Sequence, residues 1–113
     1  MGGAYVPEAG DIVWLHFATQ AGHDQDGHRL ALVLTPASYN AKTGLMVCCP
    51  IAAQDKGYPF EVRIAGDISG VVLADQVKSL DWRTCQARFK GRVMALELDE
   101  AKAKACALIG RKA

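Results

Sequence analysis

The apolar positions along the chain predict a series of short strands followed by one helix. Asp11 to Phe17 is rich in branched and aromatic residues but does not alternate cleanly, so it predicts a strand buried on much of both faces. The same criteria predict further strands over Arg29–Thr35, Leu45–Ile51, Phe60–Ile64, Val71–Ala74 and Ala87–Val93. Pro50 falls late in the third of these strands and indicates a sheet edge or a bulge there.

The last stretch of the chain has a different composition. Leu96 to Ile109 consists mainly of Leu, Glu, Lys and Ala, which are strong helix formers, and Gly110 is a typical stop. A short turn of helix or an irregular turn is also predicted between Pro36 and Gly44. The predicted fold class is therefore mainly β with a C-terminal helix, in a small, mostly antiparallel barrel or half-barrel of about five to seven strands.

Length and composition are those of a single globular domain. The 113 residues are 50% hydrophobic and 22% charged, so residues 1–113 are expected to form one domain. No apolar run approaches the ~18 residues of a spanning helix, and the first residues lack the features of a secretion signal, so a cytoplasmic protein without a membrane span is expected. The four cysteines have no metal-site spacing and are interpreted as buried, reduced side chains.

Candidate chemistry lies where a polar, glycine-containing loop runs directly into the second predicted strand. The loop carries Asp24 between His23 and His28, and the strand begins with Arg29. Loops carry functional groups and strands fix them, so Arg29 is the best-anchored polar residue of the chain. A simple ion pair of Arg29 with a loop acid is the structural alternative. A metal site is disfavoured because histidines five positions apart in a loop match no strong ligand spacing.

A second set of polar candidates lies in the later loops. Lys56 stands in the loop after the third strand, and Gln76 and Lys78 follow an apolar strand, where ligand contacts are common but a capped turn is the alternative. Phe17, at a strand end beside the first loop, is expected to stack a base. Four further aromatic residues are assigned mostly to the core: Trp14, Tyr39, Tyr58 and Trp82.

The net charge of +1 hides a local excess of basic residues. Five cations stand against one acid over a single stretch: Lys78, Arg83, Arg88, Lys90 and Arg92, with Asp81. If the fold gathers them on one side they would form a phosphate-binding face. A solvated edge of mixed purpose is the alternative.

Several stretches together resemble a known family. GHDQDGHR followed by LALVLTP, and later KGYPFEV and VVLADQVKSLDW, are similar to the signature stretches of MazF/PemK-type toxins, and the similarity covers almost the whole chain. Members are small endoribonucleases of type II toxin–antitoxin modules. The resemblance implies an SH3-like barrel, a homodimer, cleavage of single-stranded RNA without a metal or cofactor, and neutralisation by an antitoxin with an acidic, disordered tail.

The resemblance also implies roles for particular residues. The family's loop acid falls on Asp24, its catalytic arginine on Arg29, and its catalytic threonine on Ala52, which has no hydroxyl. Losing one transition-state contact of this kind typically costs about 2.7–4 kcal/mol. Possible replacements are a backbone N–H of the same loop or one of four side chains: His23, His28, Gln54 and Lys56. An RNA-binding groove is expected along the dimer interface, lined by Phe17, Gln25, Lys56, Gln76 and Lys78, with His28 close to it.

Three functions remain open at this point. In the leading hypothesis Asp24 takes a proton from the ribose 2′-OH and Arg29 neutralises the phosphorane, which yields a 2′,3′-cyclic phosphate and a 5′-OH. In the second hypothesis the protein still binds RNA or an antitoxin but no longer cleaves RNA, because Ala52 replaces the family's catalytic threonine. The third is a toxin of the same barrel family that acts on a protein target, which only fold-level analogy supports.

Overall fold

The computed structural model describes residues 5–16 and 28–110. These residues form seven strands and two helices. In chain order the elements are β1 (Asp11–His16), β2 (His28–Val33), α1 (Ala37–Thr43), β3 (Leu45–Ala52), β4 (Glu61–Ala65), β5 (Ser69–Leu73), β6 (Lys78–Asp81), β7 (Arg88–Arg92) and α2 (Ala95–Ile109).

The strands form one curled antiparallel sheet in the order β4-β5-β3-β2-β1-β7, and β6 also pairs with β3. Strand β3 pairs with β2 on one side and has two partners on the other. Its first half, from Leu45 to Cys48, pairs with β6, and its last two residues, Ile51 and Ala52, pair with β5. Pro50, where an edge or a bulge was predicted, lies between the part of β3 that pairs with β6 and the part that pairs with β5. A residue without an N–H is tolerated at this change of partner.

Strand β1 buries side chains on both of its faces, as its sequence predicts. Ile12 packs into a cluster with β4, β5 and α2, whereas Val13 and Leu15 pack into a second cluster that contains Trp82. All three side chains are at most 1% exposed. Because both faces of the central strands β1, β2 and β3 are used for packing, the exposed polar side chains described in these three strands lie at strand ends.

The predicted fold class is confirmed: the strands form a curled half-barrel, and the C-terminal helix packs on it through Ala101 and Leu98. Strand β6 was missed, because its sequence Lys-Ser-Leu-Asp is polar and largely exposed. Neither described helix is long and apolar enough to cross a membrane.

The cysteines meet their expectation only in part. Cys48 and Cys49 are buried, and burial raises the pKa of the Cys48 thiol to about 12 and that of Cys49 to about 11. Cys85 is half-buried, and Cys106 is exposed on α2, contrary to the expectation. The two thiols of β3 therefore behave as core side chains.

Asn40 is a fully buried polar side chain that connects distant parts of the chain. Its amide donates to the carbonyl oxygens of Pro7 (2.8 Å) and Thr35 (2.9 Å), and its Oδ1 accepts from the Thr35 hydroxyl (2.7 Å). The backbone carbonyl of Asn40 accepts from the Trp82 indole at 2.8 Å. One residue of α1 thus ties together the N-terminal segment, the end of β2 and the turn after β6.

We predict that Asn40→Ala lowers the free energy of unfolding by about 2–5 kcal/mol, because it leaves two carbonyls and a hydroxyl without their partners in a dry site. Urea denaturation measures the change. Lys42→Ala, on the exposed side of the same helix, is the control and should stay within about 0.5 kcal/mol of the unaltered chain. A loss below about 1 kcal/mol for Asn40→Ala would contradict this role.

Candidate active site

Arg29 stands near the start of β2, where the register pairs it with Leu15 of β1. Its side chain is exposed, and it has no ion pair or hydrogen-bond partner among residues 5–16 and 28–110. It borders a cleft of about 270 Å³, called the Arg29 cleft below, which is lined by Trp14, Arg29, Leu30, Ile51, Ala52, Ala53 and Ser69. An exposed guanidinium beside a cleft of this kind can bind an anion such as a phosphate with two parallel N–H groups.

Strand register explains why Arg29 and Ala52 share this cleft. Strands β2 and β3 pair Ala31 with Pro50, and continuing that antiparallel register by two residues sets Arg29 opposite Ala52. Residues directly opposite in an antiparallel pair point to the same face of the sheet. Ala52, where the resemblance implies a threonine, therefore lies across from Arg29, but its side chain is a methyl group.

Lys78 also lies near Arg29, at a different cleft from the one that Ala52 borders. It is the first residue of β6 and pairs with Cys48 of β3. Together with Arg29, Pro50 and Leu80 it borders a narrow cleft of about 20 Å³. The fold thus brings two of the predicted site residues, Arg29 and Lys78, to one region although 49 positions separate them in the sequence.

Lys56 and Gln76 also come together. Both border a cleft of about 160 Å³, called the Lys56 cleft below, which is lined by Ala52, Gln54, Lys56, Tyr58, Glu61, Leu73, Asp75 and Gln76. Ala52 borders this cleft and the Arg29 cleft, so the two are neighbours along the end of β3. Three predicted side chains, those of Arg29, Lys56 and Gln76, therefore border clefts at the end of β3, and Lys78 lies beside the middle of the same strand.

The expectation that Tyr39 and Tyr58 lie in the core is wrong. Tyr39 is 40% exposed, and Tyr58 is 60% exposed and borders the Lys56 cleft. The signal in the sequence was its position between Gly57 and Pro59, in a loop rather than in an apolar run. An exposed tyrosine beside a lysine can stack on a base while the lysine binds the adjoining phosphate.

The Glu61 carboxylate fixes the loop that carries Lys56 and Tyr58. It accepts hydrogen bonds from the backbone N–H groups of Lys56 and Gly57, each at 3.1 Å. Gly57 has a φ of 80°, a left-handed conformation that other residues adopt at a cost. Charge-assisted bonds to two successive amides therefore hold the loop in one shape.

The predicted basic face is only partly formed. Arg92 forms an ion pair with Asp11, and Arg83 lies over the ring of Trp82. Lys90 lies 5.9 Å from the ring centre of Trp14, which borders the Arg29 cleft. Two of the five basic residues, Arg83 and Arg92, thus have partners within the protein, and Lys90 lies near the Arg29 cleft.

The remaining predicted site residues belong to the segment between β1 and β2 or to the first residue of β2. Asp24, Phe17 and Gln25 lie outside the described residues, as does His23, and only the strand position of His28 is defined. Among the residues that the structure does describe, no three His, Cys, Asp or Glu side chains are grouped so that they could hold a metal ion.

Comparison with known proteins identifies, over most of the chain, the family that the sequence motifs resemble. Residues 8–109 match the family model described as "PemK-like, MazF-like toxin of type II toxin-antitoxin system". The endoribonuclease toxin MazF of Escherichia coli K12 is 51% identical over 107 residues, which cover 94% of this chain and 96% of that protein. The endoribonuclease toxin ChpB of the same organism is 34% identical over 101 residues, covering 83% and 86% respectively.

Solved structures agree with this result. A crystal structure of MazF from Deinococcus radiodurans is 51% identical in sequence and superposes with a TM-score of 0.84, covering 96% of this chain and all of that chain. A crystal structure of MazE–MazF from the same organism has 49% identity and a TM-score of 0.88 over the same shares.

We predict that Glu61→Ala speeds hydrogen exchange of the Lys56 and Gly57 amides by about tenfold or more, because each loses a bond to a charged acceptor worth about 1.5–3 kcal/mol. Amide exchange followed by NMR measures the effect. The control is Asp99→Ala, an exposed acid on α2, which should leave both amides unchanged. Equal exchange rates in Glu61→Ala and the unaltered chain would show that the loop keeps its shape without this carboxylate.

Proposed function

Since the chain belongs to the PemK-like, MazF-like toxins of type II toxin–antitoxin systems, we propose that it is the toxin of such a module and acts as an endoribonuclease on single-stranded RNA. The observation that carries the proposal is the family match over residues 8–109, which includes the exposed Arg29 and its cleft. A toxin that cuts messenger RNA would act in the cytoplasm.

The proposed reaction is an internal transesterification. The ribose 2′-oxygen attacks the neighbouring phosphorus, the 5′-oxygen leaves with a proton, and the products are a 2′,3′-cyclic phosphate and a 5′-OH. Asp24 is proposed to take the 2′-OH proton. Arg29 is proposed to stabilise the negative charge of the phosphorane, since its guanidinium is exposed beside the cleft.

The RNA is proposed to follow the end of β3. Lys78 lies on one side of Arg29, and Lys56 and Tyr58 lie on the other side beyond Ala52. This order provides cations for successive phosphates and an aromatic ring for a base, which are the elements of single-strand binding. Phe17, Gln25, His28 and Gln76 are proposed to complete the groove.

A second candidate function is RNA or antitoxin binding without cleavage. The observation in its favour is that Ala52 and Ala53 both lack the hydroxyl of the family's catalytic threonine. Such a protein would keep its affinity for RNA while leaving the RNA intact.

We expect the purified chain to cut a long RNA of mixed sequence in EDTA and to leave 5′-OH ends at short, recurring sequences. An oligonucleotide with a 2′-deoxy sugar at the mapped position should stay uncut, because the attacking hydroxyl is missing. Arg29→Ala should slow cleavage by at least about a hundredfold. Arg83→Ala is the control and should leave the cleavage rate unchanged, because the Arg83 side chain lies over the ring of Trp82.

Cleavage of the 2′-deoxy substrate would contradict the transesterification. Intact RNA together with measurable RNA binding would favour the second candidate function.

We also propose that the antitoxin and the RNA share one groove along a homodimer interface. An acidic, disordered peptide with apolar side chains and a single-stranded RNA are both extended polyanions, so the same cations can serve either. Exposed apolar side chains such as Leu96 (80%) and Ile109 (77%) on α2 provide surface that a second copy would cover.

Lys78→Ala is expected to weaken binding of uncleavable RNA and of the antitoxin tail together, and to reduce the salt dependence of both, because one cation is removed from the shared groove. Lys42→Ala, an exposed lysine on α1, is the matched control. Titrations at two salt concentrations and sedimentation at micromolar concentration test the model. It is wrong if Lys78→Ala weakens neither ligand, or if the chain sediments as a monomer.

A further inference from the structure

The Arg29 cleft contains one hydroxyl among its described lining residues, that of Ser69. Ser69 is the first residue of β5, and the sequence around it, a turn of small and polar residues, gave no sign of a functional role. It stands 17 positions after Ala52, so only the fold brings it to the cleft.

The register of β3 and β5 explains why Ser69 lies near Ala52, the position at which the resemblance implies a threonine. Strands β3 and β5 pair Ala52 with Val71, and Ser69 precedes Val71 by two residues on β5. In an antiparallel pair such a diagonal neighbour points to the same face, with side chains ~7–8 Å apart or closer, still within reach of a common ligand. Since Arg29 lies opposite Ala52 on the other side, Arg29 and Ser69 flank Ala52 from two different strands.

A close approach of β5 to the end of β3 supports this arrangement. A Cβ atom added at Gly70 would lie 3.0 Å from the Ala52 carbonyl oxygen and 3.0 Å from Cγ2 of Ile51. Only glycine allows the two backbones to come this near without a shift. Gly70 thereby holds the adjoining Ser69 at the rim of the cleft.

The Ser69 hydroxyl is also available for a ligand. The residue is exposed, and within residues 5–16 and 28–110 its side chain has no hydrogen-bond partner. By contrast, Thr35 and Thr43 use their hydroxyls to bond the protein itself. A hydroxyl that serves no local structure and borders a cleft beside an arginine is suited to bind the oxygen of a phosphate.

We propose that Ser69 supplies the hydrogen bond to the scissile phosphate that a side chain at position 52 cannot make in this chain. The inference rests on the proposed endoribonuclease function. During attack by the 2′-oxygen, negative charge grows on the non-bridging phosphoryl oxygens, and the Ser69 O–H donates to one of them while Arg29 binds the phosphoryl group from the other side. Ser69 keeps its proton throughout. The 2′-OH proton goes to the general base, and the departing 5′-oxygen takes one proton from water, so that no net proton is gained or lost.

The principal test is Ser69→Ala, with rates measured on an oligonucleotide that contains the mapped cleavage site. We expect the maximal rate to fall about a hundred- to a thousandfold, while affinity for the uncleavable 2′-deoxy RNA changes by less than about threefold, because the bond strengthens in the transition state. Ser69→Thr keeps the hydroxyl and should retain most of the activity. Ser79→Ala, an exposed serine on β6 that borders none of the described clefts, is the matched control.

Two further measurements distinguish a phosphate contact from a structural effect. Ala52→Thr should raise the rate far more in the Ser69→Ala chain than in the unaltered chain, because the two hydroxyls would serve the same oxygen. Sulfur substituted for one non-bridging oxygen accepts hydrogen bonds poorly. One phosphorothioate diastereomer should therefore be cut slowly by the unaltered chain, and the difference between diastereomers should shrink in Ser69→Ala.

The possible failures are distinct. If the unaltered chain cuts no RNA, the proposed function falls, and this inference with it. If the unaltered chain cuts RNA and Ser69→Ala cuts it at the same rate, this inference alone is overturned. A loss of rate in Ser69→Ala that is matched by an equal loss of affinity, or that leaves the diastereomer difference unchanged, also overturns it.

Discussion

Strand β3 changes its neighbour on one side between Cys48 and Ile51, and the candidate site depends on this change. Before it, β3 pairs with β6, which begins with Lys78; after it, β3 pairs with β5, which begins with Ser69. On its other side β3 stays with β2, the strand of Arg29. Pro50 fits at the change of partner because it has no N–H to contribute to a ladder. Three strands thus place polar side chains along β3 between Cys48 and Ala52.

In a domain of this size, the middle positions of the central strands pack the core, and the candidate functional side chains lie at strand ends and in loops. The central strands bury both faces in two separate clusters, so their middle positions are occupied by packing. What remains for chemistry are the first and last residues of strands and the loops beyond them. Such positions are still precise, because each is within one or two residues of a buried neighbour. Arg29 adjoins Leu30, which packs against the core, and Ser69 is two residues from Val71, which is buried.

The sequence predicts the strands and helices of this structure better than it predicts which residues of different strands lie next to each other. Alternation and composition locate β1, β4 and α2 because their apolar residues are repeated with a clear period or are continuous. They miss β6, whose four residues have no apolar periodicity and which is a strand only because β3 is there to pair with it. Arg29 was recognisable from its place between a polar loop and a strand. Ser69 was not, since its nearness to Ala52 comes from the register of two strands and a glycine contact that local sequence does not encode.

We propose that the scissile phosphate binds at the end of β3, between Arg29 and Ser69. This can be tested with a crystal structure of the chain bound to an RNA that carries a 2′-deoxy sugar at the cleavage position. We expect non-bridging oxygens of that phosphate at hydrogen-bond distance, about 2.7–3.2 Å, from an Arg29 guanidinium nitrogen and from the Ser69 Oγ. A scissile phosphate bound elsewhere, without contact to Arg29 or Ser69, would contradict the proposal.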